Sequence, residues 1–242
     1  MDVRAPLQAG AGNSAMVSRS LLLIWQNPES RRFIRIGVLS ELVDGRYSFS
    51  YTEEAHGAEG FFPLAQFPDL DKTYVSTSLP AFFMNRLMSR KRDSYPEYLD
   101  ALGIDSPELD VPMELLARSG GPRVTDTFHL VDDLVAGEDG LVTSRFLASG
   151  VRHVDPSGTR LATLQDNDRL QLRAEPDNPE NERAQLICVD GGEAVGYVPD
   201  WLLTDLEDLH AKADALEIFA ERVRPDAPPH LRLLCRIEAR LA

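Results

Sequence analysis

Apolar and polar positions follow two rhythms along this chain, and the change from one to the other divides it. Leu21-Leu22-Leu23-Ile24-Trp25 is an uninterrupted apolar run that suits a short buried strand. Phe33 to Leu39 is a second such run, and Tyr47-Ser48-Phe49-Ser50-Tyr51 alternates with the period of two expected of a half-buried strand. Asp44-Gly45 lies between these two, and that pair supplies the positive φ angles of a tight turn, so the spacing predicts a hairpin. After Pro80 the rhythm becomes helical, with Phe82, Phe83, Leu87 and Met88 on one face. Ser94-Tyr95-Pro96-Glu97 has capping-box spacing and predicts a second helix reaching about Leu102. Asp110, ahead of Val111-Pro112-Met113-Glu114, opens a third helix, and Gly120-Gly121-Pro122 closes it.

The Gly-Gly-Pro stop is the natural boundary. Residues 1–20 read as a flexible tail, 21–121 as an α+β domain and 122–242 as a second domain. Beyond the boundary, Asp126 to Leu130, Arg169 to Arg173, Ala184 to Val189 and Ala194 to Val198 have strand character. Pro199-Asp200-Trp201-Leu202-Leu203 begins a helix with Leu206 and Leu209 on one face. Leu216 to Val223 and Leu231 to Ile237 form a closing strand pair, with Leu231, Leu233, Cys235 and Ile237 facing one way and Arg232 and Arg236 the other. Many short strands and one main helix predict a small, mainly β, OB-like barrel.

Composition narrows the function. The chain has 242 residues and a formal charge of −14, distributed as 12 Lys+Arg against 16 Asp+Glu in residues 1–121 and 13 against 23 in residues 122–242. Such acidity repels phosphate backbones at long range, so nucleic acid must be met by a local patch rather than by a general field. No apolar run is long enough to cross a membrane, residues 1–20 lack the apolar segment of a secretory signal, and the two cysteines are too few for a disulfide scaffold. These features predict a cytoplasmic protein with reduced, core-facing Cys188 and Cys235.

The motifs of familiar enzymes do not occur. The five histidines (56, 129, 153, 210 and 230) and the cysteines never adopt metal-ligand spacing, and there is no P-loop, dinucleotide glycine pattern, nucleophile elbow or HExxH. Acidic pairs such as Glu53-Glu54 and Asp132-Asp133 suit solvated faces. The expectation is a protein without catalytic residues, metal or cofactor. Arg86, Arg90, Lys91 and Arg92, followed by Tyr95 and Tyr98, are a basic cluster; they suit either contact with a phosphate or acidic partner, or a solvated helix end that complements the dipole. Trp201 suits either a groove wall or a packed position beneath the barrel.

Two family resemblances add to this reading. Leu170 to Pro179, with its Glu175-Pro176-Asp177-Asn178-Pro179 loop, then Ala184 to Val189, then Val195-Gly196-Tyr197-Val198-Pro199, resembles the HIRAN domain; Ser149-Gly150-Val151-Arg152-His153 resembles the same family's Gly-x-Arg-His step. Glu221 to Pro225 and Leu231 to Arg236 resemble its bacterial members. The resemblance implies an OB-like barrel that holds a single-stranded DNA end, with Arg152, His153, Asp177, Asn178, Asn181 and Tyr197 in the binding positions. Where DNA-binding members have Asn-Pro-Tyr-Asp, this chain has Asn178-Pro179-Glu180-Asn181. In the first half, Ile36 to Leu39, Gly45 to Tyr51 and Phe82-Phe83-Met84-Asn85-Arg86-Leu87-Met88 resemble the N-terminal subdomain of HipA toxin kinases. Together they imply a DNA-binding accessory protein whose first domain, through Arg86, Arg90, Lys91 and Arg92, recruits a helicase, nuclease or kinase partner. The alternative is a regulator of a HipA-type Ser/Thr kinase with no DNA binding.

Overall fold

The structure is a computed structural model that describes residues 16–105, 112–134, 136–137 and 139–241. Its first half contains strands β1 (Val17–Gln26), β2 (Phe33–Leu42), β3 (Tyr47–Tyr51) and β4 (Tyr74–Ser76), with helices α1 (Glu53–His56), α2 (Ala81–Met84), α3 (Tyr95–Ala101) and α4 (Pro112–Ser119), and then strand β5 (Phe128–Asp132). The second half runs β6 (Leu141–Leu147), α5 (Val151–Val154), β7 (Arg169–Ala174), β8 (Gln185–Cys188), β9 (Ala194–Tyr197), α6 (Leu203–Lys212), β10 (Ala213–Val223) and β11 (Leu233–Leu241).

The first sheet is antiparallel in the order β4-β3-β2-β1-β5. The unbroken apolar run of β1 is explained by burial on both faces. Leu21, Leu23 and Trp25 join a core with Ile36, Phe49, Phe83 and Leu116, whereas Leu22 and Ile24 pack with Val131 on the opposite side. The Asp44-Gly45 turn forms as predicted, with Gly45 at φ 80° and the Gly45 amide donating to the Leu42 carbonyl at 2.9 Å.

Several expectations are corrected. Strand β1 begins at Val17, inside the segment read as a flexible tail; residues 1–15 lie outside the described residues. The helix after Pro80 is a single turn, Ala81–Met84. Helix α3 lies where the capping box placed it, but Ser94 makes no side-chain capping bond. Asp110 lies outside the described residues. Strand β5, which follows the Gly-Gly-Pro stop, pairs with β1, so the division between the sheets falls after Asp132 and not at Gly121. A local pattern reports that a strand exists; it does not report which sheet completes its hydrogen bonds.

The second half is a curled antiparallel sheet in the order β6-β11-β10-β7-β8-β9. Its two edges approach one another and meet at one isolated antiparallel bridge between Ser149 and Tyr197. The expected barrel is therefore a half-barrel, joined at its seam by a single residue pair and not by a full ladder. Its interior holds Phe146, Leu161, Ile187, Val195, Cys235 and Ile237, with α6 laying Leu203, Leu206 and Leu209 on it. Both cysteines are free and buried.

Helices α3 and α4 occupy the space between the sheets. Helix α4 packs on β5 and on β6, and Tyr95, Tyr98, Leu99 and Leu102 form an apolar cluster with Leu231 and Leu147 of the second half. Trp201 is half-buried and packs against both the half-barrel core and the Leu22–Ile24–Val131 face of the first sheet. Ion pairs Arg35–Asp205, Arg222–Asp105 and Arg224–Asp100 also cross the junction. Among the described residues no helix is long and apolar enough to cross a membrane.

Candidate functional site

The seam of the half-barrel is where the resemblance-derived residues converge. Ser149 and Tyr197 exchange backbone hydrogen bonds, both at 2.9 Å. The chain then turns sharply through Gly150, whose φ of 64° is left-handed, into α5. A Cβ at residue 150 would stand 2.8 Å from Cδ2 of Tyr197, so the tyrosine ring occupies space that only glycine leaves open. Val151 is buried and anchors α5, which leaves Arg152 and His153 exposed to solvent beside β9. The Arg152 Nε–H donates to His153 Nε2 at 3.0 Å, an arrangement that requires the imidazole proton on Nδ1.

Behind this rim is a carboxylate that sequence reasoning did not single out. Glu175 Oε2 accepts the Tyr197 phenol at 2.9 Å and the Asn178 side-chain amide at 2.6 Å. The Asn178 bond, followed by the Tyr197 bond, holds the Glu175 carboxyl below its ordinary range. Burial, and after it Glu175, raises the Tyr197 phenol. Asn178 Oδ1 accepts the backbone amides of Glu180 at 3.0 Å and Asn181 at 3.2 Å. The Asn178 side chain thus folds its own loop, as Asn does in turns. The only trace of Glu175 in the sequence is its position at the head of Glu-Pro-Asp-Asn-Pro.

The remaining predicted site residues are dispersed. Asp177 is exposed on the loop. Asn181 turns away from Tyr197; its Nδ2 donates to Asp200 at 3.0 Å and its Oδ1 accepts the Arg183 amide at 2.9 Å. That group borders a cleft of about 760 Å³ between β2 and α6, where Arg31, Arg32 and Arg35 oppose Asp200, Asp205 and Asp208.

Arg86, read as part of an exposed basic cluster, is buried at 7% exposure. It donates to the Gly121 carbonyl at 2.9 Å and forks onto Asp126 at 3.1 and 2.8 Å. Its guanidinium lies 4.3 Å from the Phe82 ring centre and 5.5 Å from that of Phe128. Arg86 therefore fixes the Gly-Gly-Pro corner and is not a surface contact. Burial lowers its pKa, against the opposing effect of Asp126. Arg90, Lys91 and Arg92 are exposed, but Tyr95 and Tyr98 are buried beneath them and offer no stacking surface. Among the described residues no three His, Cys, Asp or Glu side chains are grouped as metal ligands.

Residues 141–242 match the family model of the HIRAN domain. Among solved structures, the chain is similar to the HIRAN domain of human HLTF, at 16% identity over 43% of this chain and 81% of that one, with a TM-score of 0.32. It is also similar to a protein from Lactobacillus plantarum, at 15% identity over 43% of this chain and 100% of that one, with a TM-score of 0.32. No curated protein matches it.

Proposed function

We propose that this chain is a non-enzymatic nucleic-acid-binding accessory protein whose HIRAN-like region engages single-stranded DNA or a DNA end at the Ser149–Tyr197 seam. The HIRAN match suggests nucleic-acid binding at the level of the family. The observation that carries the reading within this chain is the exposed Arg152–His153 pair, held beside the half-buried Tyr197 by the obligatory glycine and the buried Val151. A guanidinium and an imidazole at a seam are natural contacts for a phosphate or a terminal hydroxyl. Glu175, ionised and bonded to Tyr197, opposes a backbone phosphate, so the expected affinity is modest, roughly 1–100 μM at physiological salt.

Fluorescence anisotropy tests the reading directly, using labelled oligothymidines with free or 3′-phosphorylated ends at low and moderate salt. The expected result is saturable binding at low salt that weakens as salt rises and falls about tenfold in the Arg152→Ala/His153→Ala double variant. Absence of binding at low salt, where electrostatic attraction is greatest, overturns it. Recruitment of a partner protein through the exposed Arg90–Arg92 turn is the second part of the proposal, tested by co-purification with and without that turn reversed in charge.

A further inference from the structure

A second cleft, of about 580 Å³, lies between the helices of the first half and the seam of the half-barrel. That size is within the range of ligand sites, about 300–1,000 Å³. It differs from its neighbours in charge. The cleft beside α6 mixes arginines with Glu54, Glu180 and three aspartates, and a third, beside β1, includes Glu114, Asp132 and Asp133. Among the described residues, the walls of the seam cleft contain Arg86, Arg92, Arg118, His129 and His230 and no carboxylate residue, although the chain has 39 acids. Arg86 and Arg118 are paired with Asp126 and Glu114, and burial favours neutral His129, so the cleft's attraction for an anion comes from Arg92 and from the absence of opposing charge on its described walls.

Arg118 is held in place by its bonds to the Leu102 and Gly103 carbonyls, both at 2.7 Å, and by its ion pair with Glu114, which compensates its charge from behind the wall. Arg92 and His230 are exposed and have no ion-pair partner among the described residues. Trp201 and Met88 supply a half-buried apolar floor. The cleft also adjoins the rim. Ser149 and Pro199 form part of its wall, and the turn Pro229–Leu231, which bears His230, packs on α5.

From this geometry we infer that the two halves form one composite site, in which a single strand passing the Arg152–His153 rim seats a phosphate between Arg92 and His230 and a base against Trp201. The inference rests on the nucleic-acid reading above and deepens it: the first half contributes ligand contacts of its own. A base gives the aromatic surface a partner that a simple anion lacks.

The test compares four proteins, the wild type, Arg92→Ala/His230→Ala, Arg152→Ala/His153→Ala and Trp201→Phe, by anisotropy across a salt series with a labelled dT oligomer. Tryptophan fluorescence is followed in the same titrations. Arg92 and His230 are exposed, so their double variant is expected to keep the wild-type melting temperature. The composite site predicts that this variant binds about tenfold more weakly, with the slope of log K against log salt reduced by about 0.7, the value for one single-strand phosphate no longer neutralised. It also predicts quenching in the wild type that Trp201→Phe abolishes. Normal binding and slope in Arg92→Ala/His230→Ala, with weakening only in the rim variant, overturn the composite site and leave the nucleic-acid reading intact. Absence of binding by the wild type overturns both. A polyglutamate decamer that binds and quenches as well as dT also overturns the inference, because charge without bases would then suffice.

Discussion

Gly150 and Tyr197 are complementary: the ring of one fills the position where the other would carry a Cβ, 2.8 Å from Cδ2. Two independent penalties apply to any side chain there, the close approach itself and the left-handed φ of 64°. Gly150→Ala is expected to cost about 1–2 kcal/mol from the backbone alone, with the displaced ring adding to it. Thermal denaturation measures the loss. Because the substitution moves Tyr197 and the start of α5, oligonucleotide binding should weaken together with stability; a variant as stable as the wild type would show that the ring relaxes freely.

Trp201 belongs to two cores, so its truncation should affect both halves. For a half-buried Trp, Trp201→Ala is expected to cost about 3 kcal/mol, the lower end of the range for large-to-small core changes. The more informative readout is cooperativity. If this side chain couples the sheets, urea unfolding monitored by circular dichroism changes from one transition in the wild type to two in the variant.

Glu221, on β10, receives Arg145 Nε from β6 at 2.8 Å and Arg236 Nε from β11 at 2.6 Å. Burial raises its pKa, but the two guanidiniums outweigh that effect and the net shift is downward. A carboxylate with a depressed folded pKa contributes stability that is full above the ordinary glutamate value of about 4.3 and is lost as pH falls through the folded value. Glu221→Gln is therefore expected to lose roughly 2 kcal/mol at pH 6, and the difference from the wild type should shrink as pH falls below the ordinary glutamate value, as measured by urea denaturation across a pH series.

Glu175 is an acidic group bonded directly to Tyr197, one of the proposed nucleic-acid contacts. Glu175→Gln retains an acceptor for Tyr197 and Asn178 while removing the charge. On the proposed function it should bind oligothymidine a few-fold more tightly at low salt, and the gain should shrink as salt rises. Unchanged affinity would place the strand away from the seam.

The sequence is most informative where a rule is local. The β2–β3 hairpin is visible from Asp44-Gly45 and alternation, and α6 from its spaced leucines, because turn chemistry and periodicity act within a few residues. Strand β6 is not visible, since Ser144 occupies a core-facing position at 4% exposure between Val142 and Phe146 and interrupts the apolar alternation. Arg86 is misread for a related reason: arginine is ordinarily a surface residue, and nothing nearby in sequence announces that Phe128 and Asp126 will enclose it. At the site, Arg152, His153, Asn178 and Tyr197 are accessible through family resemblance. Glu175 is not, because its importance comes from two partners brought to it by the sheet.

The pairing of β1 with β5 has a consequence for synthesis. Arg19, on β1, bonds Asp132, on β5, across 113 positions of sequence. At ordinary translation rates that interval takes on the order of ten seconds, during which the Leu22–Ile24 strand has been made and its neighbour has not. A nascent chain in that interval presents an unsatisfied, greasy edge, the kind of surface that chaperones recognise and that sticks to other copies of itself. Cutting the gene at Gly121 would make that transient exposure permanent.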